Sequence, residues 1–427
     1  LMVWFISLLG KAVVWLSRHL GGGHGSALPG LIVEKLYPGF LGKVLSQLPD
    51  GVVLVSGTNG KTTTTKIVVD LLRADGYQVF TNRSGSNYTR GVVSAALPQM
   101  KRGKLPADIA VLELDEAYAT QFVDQVKPRY ALLLNVLRDQ LDRFGEIDNT
   151  AKLLQYVAEK TTGSVILNED DPRLKRLAKD DKIKTQVAWF GYDGEAACLY
   201  HSDEELHCRK DGAVVNKRPS RQAVRICTLN DEGATYLIDG HAYTTKLRLF
   251  GMHNALNGAA ALSVVRQIEG AEFNADQAVA HLGAVAPAYG RGEVLVVGDA
   301  GVQLILVKNP SGFQISLDSA VAAPTMIAIN DEYADGRDVS WLWDVSFARL
   351  RQLQAPVVVT GVRAADMAVR LMYDGVPVSR TEPDITVALR RWVHSLNGAT
   401  GQIFATYTAM LKIRGELERM NSEAERG

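Results

Sequence analysis

The sequence predicts an α/β protein with two successive parallel-sheet units, and three observations lead to this fold class. Short, continuous apolar runs alternate with longer stretches of helical periodicity, which is typical of parallel strands covered on both faces. A glycine-rich loop lies between the first apolar run and a helix, and the alternation starts again near residue 297. We therefore expect a nucleotide-binding unit followed by a Rossmann-like α/β domain.

In the first unit, the predicted strands cover residues 52–56, 109–114, 130–135 and 164–168. The interval 191–246 is polar and rich in turn-forming residues, so we expect a small β-rich insertion there. The helical pattern resumes at 254–267.

In the second unit, the predicted strands cover residues 303–307, 325–330, 356–360 and 402–405. Helices are expected near 363–374, 384–396 and 408–420. We accordingly expect an N-terminal helix and connector at 1–50, a central domain at 51–295 and a C-terminal domain at 296–427.

The composition argues against several classes of protein. The chain has 427 residues, and its 47 Lys and Arg are balanced by 47 Asp and Glu, so no excess positive charge indicates nucleic acid as a partner. With 47% hydrophobic and 22% charged residues, disorder and a membrane-helix bundle are both disfavoured. Three cysteines cannot form a disulfide framework, which favours the cytoplasm.

The first 20 residues form a strongly apolar segment. Its longest uncharged run covers residues 1–10, whereas a bilayer span needs about 20 residues. It also lacks the charged start and cleavage site of a secretory signal, so we expect an amphipathic helix packed on the domain or on a neighbouring chain. The alternative is contact with a membrane surface through its aromatic and basic side chains, which are Trp4, Phe5, Trp15, Lys11 and Arg18.

Residues 52–65 carry the strongest local signal. An apolar strand leads into Gly-Thr-Asn-Gly-Lys-Thr at 57–62, and a helix with apolar periodicity follows. In such a loop, backbone N–H groups approach phosphate oxygens, and the helix N-terminus favours negative charge. Lys61 can neutralise the β- and γ-phosphates, and Thr62 can place its hydroxyl on Mg²⁺. Val55 stands where the common loop has glycine, so this is a variant spacing, and the candidate nucleotide-binding residues are Gly57, Thr58, Asn59, Gly60, Lys61, Thr62 and Thr63.

This variant loop resembles the ATP loop of the Mur ligase superfamily, which includes folylpolyglutamate synthetase. Four more blocks follow in the family's order, at 110–117 (AVLELDEA), 135–143 (NVLRDQLDR), 168–171 (NEDD) and 251–257 (GMHNALN). The resemblance implies a Mur ligase-like central P-loop ATPase domain that uses ATP and Mg²⁺.

The acidic block supplies the candidate metal ligands. Glu113 stands where a parallel strand delivers side chains to the crevice at its carboxyl end, and Mg²⁺ prefers oxygen ligands. The resemblance implies Mg²⁺ binding by Glu113 with Thr62, and Glu116 is a second candidate. The alternative for both carboxylates is a structural, solvated charge.

Three further residues are candidates for binding the nucleotide. Asn254 and Asn257 lie three residues apart on one helix face, so both can reach one planar ring, and the resemblance implies adenine. Helix capping is the alternative for Asn254. Arg291, in a Gly-Arg-Gly at 290–292 that we expect to be a hinge, completes the set.

A closer resemblance, over nearly the whole chain, is to the MurT proteins of this superfamily. It is carried by the segments 26–30, 81–91, 307–312, 338–346 and 360–366. It implies the synthetase subunit of lipid II isoglutaminyl synthase, which uses ATP to amidate the α-carboxylate of D-Glu in the peptidoglycan stem peptide. The implied partners are a GatD-like class I glutaminase, which supplies ammonia in a heterodimer, and lipid II at the inner face of the membrane.

The MurT resemblance also assigns a role to Asp344, at the end of Trp-Leu-Trp-Asp. The matching Asp orients the catalytic His of the glutaminase and completes a Cys-His-Asp triad across the interface, since a Cys–His pair needs a third group to fix the imidazole tautomer. A helix N-cap or a structural charge is the alternative. The candidate catalytic residues are thus Asp344, Lys61 and Glu113.

Several positions depart from the family patterns. Gln140 stands where the superfamily often has a metal-binding His, and Lys308 replaces an Asp of amino-acid-adding ligases. Lys152 is near the position of their carbamylated lysine, but it follows Asp139 at too short a spacing. These departures favour a nucleophile other than an ordinary amino acid.

The cysteines depart from the pattern of MurT proteins, which commonly carry a zinc ribbon with two C-x-x-C pairs. Cys198, Cys208 and Cys227 form no C-x-x-C, and a structural zinc needs four ligands. Recruitment of His201 and His207 is the alternative. We expect a ribbon-like lobe without zinc.

Two other functions stay open from the sequence. An amino-acid-adding Mur or folylpolyglutamate-type ligase would turn over ATP with a free amino acid and no partner. The second possible function is that of a non-catalytic ATP-binding scaffold for a glutaminase. The presence of Lys61, Thr62 and Glu113, the residues expected to act on ATP and Mg²⁺, argues against it.

Overall fold

The computed structural model describes residues 2–20, 28–82, 88–137, 147–196, 223–230, 233–249, 251–287 and 291–424. These residues form two compact units. The first extends to Val285, apart from Leu249 and Gly251, and the second begins at Ala286 rather than at residue 296. The second unit starts earlier because an unpredicted strand, Arg291–Val297, pairs with Ala300–Leu306 in its sheet.

The first unit is built on a nine-stranded sheet in the order β2-β3-β1-β4-β5-β6-β7-β8-β9, parallel from β2 to β7. Its strands are β1 (Gly51–Ser56), β2 (Val79–Thr81), β3 (Ile109–Glu113), β4 (Tyr130–Leu133), β5 (Ser164–Asn168), β6 (Gln186–Tyr192), β7 (Ala223–Asn230), β8 (Gly233–Ile238) and β9 (His241–Thr245). The order reverses at β1, and ligands bind at the carboxyl ends of strands at such a switch point.

The helices of the first unit are α1 (Met2–Leu20), α2 (Leu28–Leu36), α3 (Phe40–Leu45), α4 (Lys61–Ala74), α5 (Thr89–Gln99), α6 (Glu116–Gln125), α7 (Ile147–Lys160), α8 (Pro172–Leu177), α9 (Met252–Glu269) and α10 (Ala275–Ala284). Side chains of α3 and α5 join those of β1, β3 and β4 in one buried cluster. Among the described residues, no helix is long and apolar enough to cross a membrane.

The predicted insertion extends the sheet rather than forming a separate lobe. Strand β7 pairs in parallel with β6, from Trp189 opposite Ala223 onward, and β8 and β9 follow antiparallel. A buried ion pair between Arg225 on β7 and Glu169, just after β5, joins the added strands to the parallel part. The expectation of a ribbon-like lobe is therefore wrong for the described strands, because they cover the edge that β6 would otherwise expose.

The second unit contains a six-stranded sheet in the order β10-β11-β15-β12-β13-β14, antiparallel only between β10 and β11. Its elements are β10 (Arg291–Val297), β11 (Ala300–Leu306), α11 (Pro310–Asp318), β12 (Thr325–Ala328), a 3₁₀ turn (Ser340–Asp344), α12 (Ala348–Leu353), β13 (Val357–Thr360), α13 (Ala364–Tyr373), β14 (Val378–Glu382), α14 (Ile385–Ser395), β15 (Thr400–Ala405) and α15 (Tyr407–Ala424).

Alternate residues of these strands enter two separate cores. Met326 and Ile403 pack on one face with α14 and α15, whereas Ile327 and Phe404 pack on the other face with α11 and α13. This alternation is what a parallel sheet covered on both faces requires. The α/β fold class predicted from the sequence is confirmed.

Candidate active site

The phosphate loop leaves β1 at Ser56 and enters α4 at Lys61. Gly57 and Gly60 have φ angles of +130° and +87°, which side-chain-bearing residues rarely adopt. A Cβ atom at Gly57 would lie 3.0 Å from the backbone nitrogens of Leu134 and Asn135. Both glycines are therefore required by backbone conformation, and Gly57 also by close packing against the end of β4.

Asn135 anchors this loop from the neighbouring strand. The backbone N–H of Asn59 donates to Asn135 Oδ1 at 2.9 Å, and Asn135 Nδ2 donates back to Asn59 O at 3.1 Å. The backbone N–H of Thr58 donates to Asn135 O at 3.1 Å, and the Thr58 hydroxyl accepts from the N–H of Leu137. The loop is thus fixed by groups at the carboxyl end of β4.

Lys61 lies at the first position of α4, with only 6% of its side chain exposed. Its Nζ donates to Gly57 O at 2.7 Å and contacts Asp115 Oδ1 at 3.1 Å and Glu116 Oε2 at 3.6 Å. Asp115 was not singled out in the sequence, although it lies within the acidic block. A desolvated ammonium placed at a helix N-terminus is suited to bind phosphate.

Thr62 and Glu113 come together from α4 and the end of β3. The Thr62 hydroxyl donates to Glu113 Oε1 at 2.7 Å. Asn82, just after β2, fixes the backbone of Glu113 at both sides, because its Nδ2 donates to Glu113 O at 2.8 Å and its Oδ1 accepts from Glu113 N at 3.0 Å. The hydroxyl and carboxylate oxygens are hard ligands that Mg²⁺ prefers, and Thr63 is buried beside them in the same helical turn.

The carboxylates of the 168–171 block have structural roles. Asp171 Oδ1 caps α8 by accepting from the N–H of Arg173 and Leu174, and Oδ2 accepts from Val136 N at 2.7 Å. Burial raises the pKa of Asp171, although these N–H groups oppose the effect. Asp170 accepts from Tyr192 N on β6. This block therefore stabilises the carboxyl ends of neighbouring strands, next to the phosphate loop.

Asn254 and Asn257 lie in the first turns of α9, and both are buried. Asn257 Nδ2 donates to Asn254 Oδ1 at 3.3 Å. A Cβ at Gly60 would lie 2.6 Å from Asn257 Oδ1, so these amides directly adjoin the phosphate loop. The sequence pattern had placed them on one helix face, and the structure adds that this face meets the loop.

Tyr236 positions this part of α9 and was missed in the sequence. Its hydroxyl donates to Ala255 O at 3.0 Å, and complete burial raises its pKa. A Cβ at Gly258 would lie 2.7 Å from that hydroxyl, so only glycine leaves room for the tyrosine. The signal was the β8 pattern of alternating apolar residues, in which Tyr236 points inward.

Asp344 lies in the second unit at the end of the 3₁₀ turn, and its side chain is exposed. Arg370, from α13, holds the turn: its Nε donates to Leu342 O at 3.1 Å and its Nη2 to Val345 O at 2.5 Å. Asp374 in turn receives hydrogen bonds from Arg370 Nη1 and from Phe347 N. At the start of the turn, hydrogen bonds from Ser340 lower the pKa of Asp338.

Exposed apolar side chains lie beside Asp344. Trp343 is 53% exposed, packs edge-on against Tyr373 with 5.2 Å between ring centroids, and is stacked by the Arg370 guanidinium at 5.3 Å. Val369, Met372 and Tyr373 of α13 are also exposed. Grouped aromatic residues of this kind are typical of protein–protein interfaces.

The remaining predicted residues fall into two groups. Arg291 begins β10, so the backbone there is a strand rather than the predicted hinge, and its side chain lies outside the described part of the structure. Lys152 is exposed on α7, Lys308 is half-buried after β11, and Cys227 is half-buried on β7. Six other residues discussed from the sequence lie outside the described ranges, and they are Asp139, Gln140, Cys198, His201, His207 and Cys208.

An acidic cleft of about 480 Å³ lies at the far end of α9 and is lined by Asp50, Asp75, Tyr77, Asp108 and Glu269, among others. Burial, reinforced by the neighbouring Asp75 carboxylate, raises the pKa of Glu269 to about 7. This cleft shares no residue with the phosphate-loop cluster. Across the described ranges, no group of three or more His, Cys, Asp or Glu is arranged to hold a metal ion.

Comparison with known families matches both units. The model of the Mur ligase middle domain matches residues 55–265, and the model of the MurT ligase C-terminal region matches residues 306–410.

Curated relatives match over nearly the full chain. The subunit MurT of lipid II isoglutaminyl synthase (glutamine-hydrolyzing) from Streptococcus pneumoniae is 30% identical and covers 92% of each chain. The protein of the same name from Staphylococcus aureus strain COL is 29% identical and covers 99% of each chain.

Among solved structures, the MurF ligase from Thermotoga maritima in complex with ADP superposes with a TM-score of 0.67 at 18% identity. The match covers 92% of this chain and 84% of that chain. At this identity the likeness supports the fold alone.

Proposed function

Because the chain belongs to the MurT family of Mur ligase-like proteins, we propose that it is the ATP-using subunit of a lipid II isoglutaminyl synthase. In the proposed reaction, the α-carboxylate of D-Glu in the stem peptide attacks the γ-phosphorus of ATP, which releases ADP. Ammonia then attacks the acyl phosphate and expels phosphate, leaving D-isoglutamine. Activation is needed because a carboxylate is a poor electrophile at neutral pH.

The observation that carries the proposal is the cluster of Lys61, Thr62 and Glu113 at the switch point of the first sheet. The positive-φ glycines open the backbone to a phosphate chain, and Lys61 Nζ lies 2.7 Å from Gly57 O, within the loop itself. Lys61 would stabilise the charge that develops on the transferred phosphoryl group.

The donors in this cluster fit Mg²⁺. Thr62 Oγ1 and Glu113 Oε1 are 2.7 Å apart, and both are hard oxygen ligands, which suits an ion that usually keeps several waters. When bound with ATP, Mg²⁺ neutralises phosphate charge. Glu116 is the weaker candidate for this role, because its carboxylate contacts Lys61.

The base of ATP is assigned to Asn254 and Asn257. Both amides are buried, and Asn257 adjoins Gly60 of the loop, which supports this assignment because the base and the phosphates of one nucleotide need neighbouring sites. Arg291 remains a further candidate for contact with the nucleotide.

The ammonia source in this proposal is a GatD-like class I glutaminase bound as a heterodimer. Asp344 is exposed beside Trp343, Met372 and Tyr373, which supports a docking site for another protein around a carboxylate. We assign Asp344 to the glutaminase reaction, where it would orient the partner's catalytic His. The lipid-linked substrate would place the complex at the inner face of the cytoplasmic membrane.

Reconstitution tests the proposal. The chain is co-expressed with the glutaminase of the same organism. With glutamine and ATP, the complex should convert lipid II to its amidated form, as measured by mass spectrometry of the product. Neither subunit alone should do so with glutamine. ATP turnover that is stimulated by a free amino acid, without a partner, would favour an amino-acid-adding ligase instead.

A further inference from the structure

Helix α1 carries apolar side chains on two opposite faces, but the first unit covers only one of them. Val3, Ile6 and Val14 pack on the core of the first unit, and Gly10 contacts Leu97 and Val33. The opposite face is exposed and also apolar. It includes Trp4, Phe5, Leu8, Trp15 and Leu16, whose exposure ranges from 42% to 69%.

A contiguous exposed apolar face usually marks a site of contact with another protein or with a membrane. The exposed set recurs at the helical spacing and contains three aromatic rings, two of them tryptophans. Tryptophan is enriched where a protein meets the polar boundary of a lipid bilayer. The outward face of α1 therefore has the composition of a helix that lies in a membrane interface.

A basic loop lies against the same helix. Lys101, Arg102 and Lys104 are exposed, and among the described residues none of them pairs with a carboxylate. Gly103, at φ +78°, packs so closely on α1 that a Cβ there would lie 3.0 Å from Trp4 Cα. Lys11 Nζ also donates to Met100 O at 2.5 Å, which joins the helix to the start of this loop.

We propose that the outward face of α1 and the loop at 101–104 bind the first unit to an anionic lipid bilayer, with α1 lying in the plane of the surface. The apolar face would enter the headgroup boundary, and the loop cations would face anionic headgroups. The adjacent unpaired cations favour a lipid surface over a second copy or another protein, because lysine is depleted in protein–protein interfaces. The inference rests on these contacts alone and does not require the proposed reaction.

Vesicle flotation with the full chain tests the proposal. We expect binding to phosphatidylcholine vesicles that contain phosphatidylglycerol, weaker binding to phosphatidylcholine alone, and weakening by salt. Lys101→Ala/Lys104→Ala should reduce binding to the anionic vesicles about twenty-five-fold, since each cation near such a surface contributes roughly fivefold. This exposed loop can be changed without disturbing the core.

Phe5→Ser/Trp15→Ser should reduce binding about a hundredfold on the anionic vesicles, because two large apolar side chains no longer enter the boundary. The matched control is Trp343→Ser/Tyr373→Ser, an exposed aromatic pair of the second unit, which should bind as the parent does. Lys61→Ala should also bind normally, which separates this inference from the proposed function.

Two outcomes would overturn the proposal. One is absence of binding to anionic vesicles, or binding that neither double variant weakens. The other is self-association in analytical ultracentrifugation that is lost in Phe5→Ser/Trp15→Ser while vesicle binding stays at background, since the face would then bind a second copy.

Discussion

The phosphate-loop cluster and the Asp344 region place candidate functional carboxylates in opposite surroundings. Glu113 and Glu116 are 5% and 2% exposed and contact partners of their own unit, whereas Asp344 is exposed next to apolar side chains. A carboxylate that acts on a small molecule can be enclosed by its own chain. One that acts on another protein, as we propose for Asp344, must stay on the surface, and the chain can then hold its backbone instead, as Arg370 holds the 3₁₀ turn.

The largest effect should come from Asp344→Asn, assayed in the complex with the glutaminase. Glutamine hydrolysis and glutamine-dependent amidation should fall about 10⁴-fold, by analogy with the same change in a serine-protease triad. High free ammonia should restore amidation, because the acyl-phosphate step is untouched. The control is Asp299→Asn, an exposed carboxylate in the turn between β10 and β11.

If glutamine hydrolysis by the Asp344→Asn complex stays at the parent rate, Asp344 has a structural role only. If ammonia fails to restore amidation in a well-assembled complex, Asp344 belongs to the synthetase site, and its exposure does not mark a carboxylate that acts on another protein.

Lys61→Ala should lower amidation about a thousandfold with either glutamine or ammonia, because the loop loses the cation that contacts Gly57 O and the acidic pair. Complex formation and the folded state should be retained. Lys66→Ala is the matched control, since Lys66 lies on the same helix and, within the described ranges, pairs with the half-buried Asp70. Product formation at the parent rate by a folded Lys61→Ala protein would remove the basis of the assignment.

Arg370→Met should lower the free energy of unfolding by about 3 kcal/mol, because it removes the guanidinium charge that pairs with Asp374 and its hydrogen bonds to two backbone carbonyls. Urea denaturation of the chain measures this loss. Glutamine-dependent amidation should fall more than ammonia-dependent amidation, and Arg370→Lys should not restore it, since lysine lacks the forked geometry. The exposed Arg391→Met is the control, and an equal fall of both activities would mean that Arg370 does not position Asp344.

The smallest effect concerns the pH dependence of the first unit. The folded-state pKa of Glu269 is raised to about 7 from 4.5, so its contribution to stability is fully present below about pH 4.5 and is lost as pH rises through 7. Glu269→Gln should therefore gain stability relative to the parent between pH 5 and pH 8, as measured by urea denaturation. The exposed Asp276→Asn should show no such trend, and the same behaviour in both variants would contradict the role of burial.

The sequence predicted the parallel strands well, because continuous apolar runs such as 52–56 and 164–168 are buried on both faces. It missed β2, which has three residues, and β14, whose edge position leaves most side chains exposed. These two strands form by pairing with strands elsewhere in the chain, and a local sequence pattern does not indicate such pairing. The strands of the insertion lie within the predicted interval 191–246, but the expectation of a ribbon-like lobe was wrong for the same reason, since the pairing of β7 with β6 makes them part of the sheet.

In the candidate site, the sequence singled out residues with strong chemical signatures, but it assigned no role to those that hold backbone atoms, even where a quoted block such as 135–143 contains one. Lys61, Thr62 and Glu113 stand in recognisable blocks and come together as expected. Asn82, Asn135 and Arg370 hold backbone atoms of distant segments, and a polar residue in isolation does not indicate such a partner. Asn82 and Asn135 could have been suspected, because each follows a parallel strand at its carboxyl end.

The contacts of the phosphate loop also determine when the site can form during synthesis of the chain. Asn59 exchanges hydrogen bonds with Asn135, and Gly60 contacts Asn257, nearly two hundred residues later in the chain. During synthesis, the loop therefore leaves the ribosome long before the groups that fix its shape, and such long-range contacts form slowly. A growing chain that ends before α9 would have the glycines and the lysine but not the completed nucleotide site.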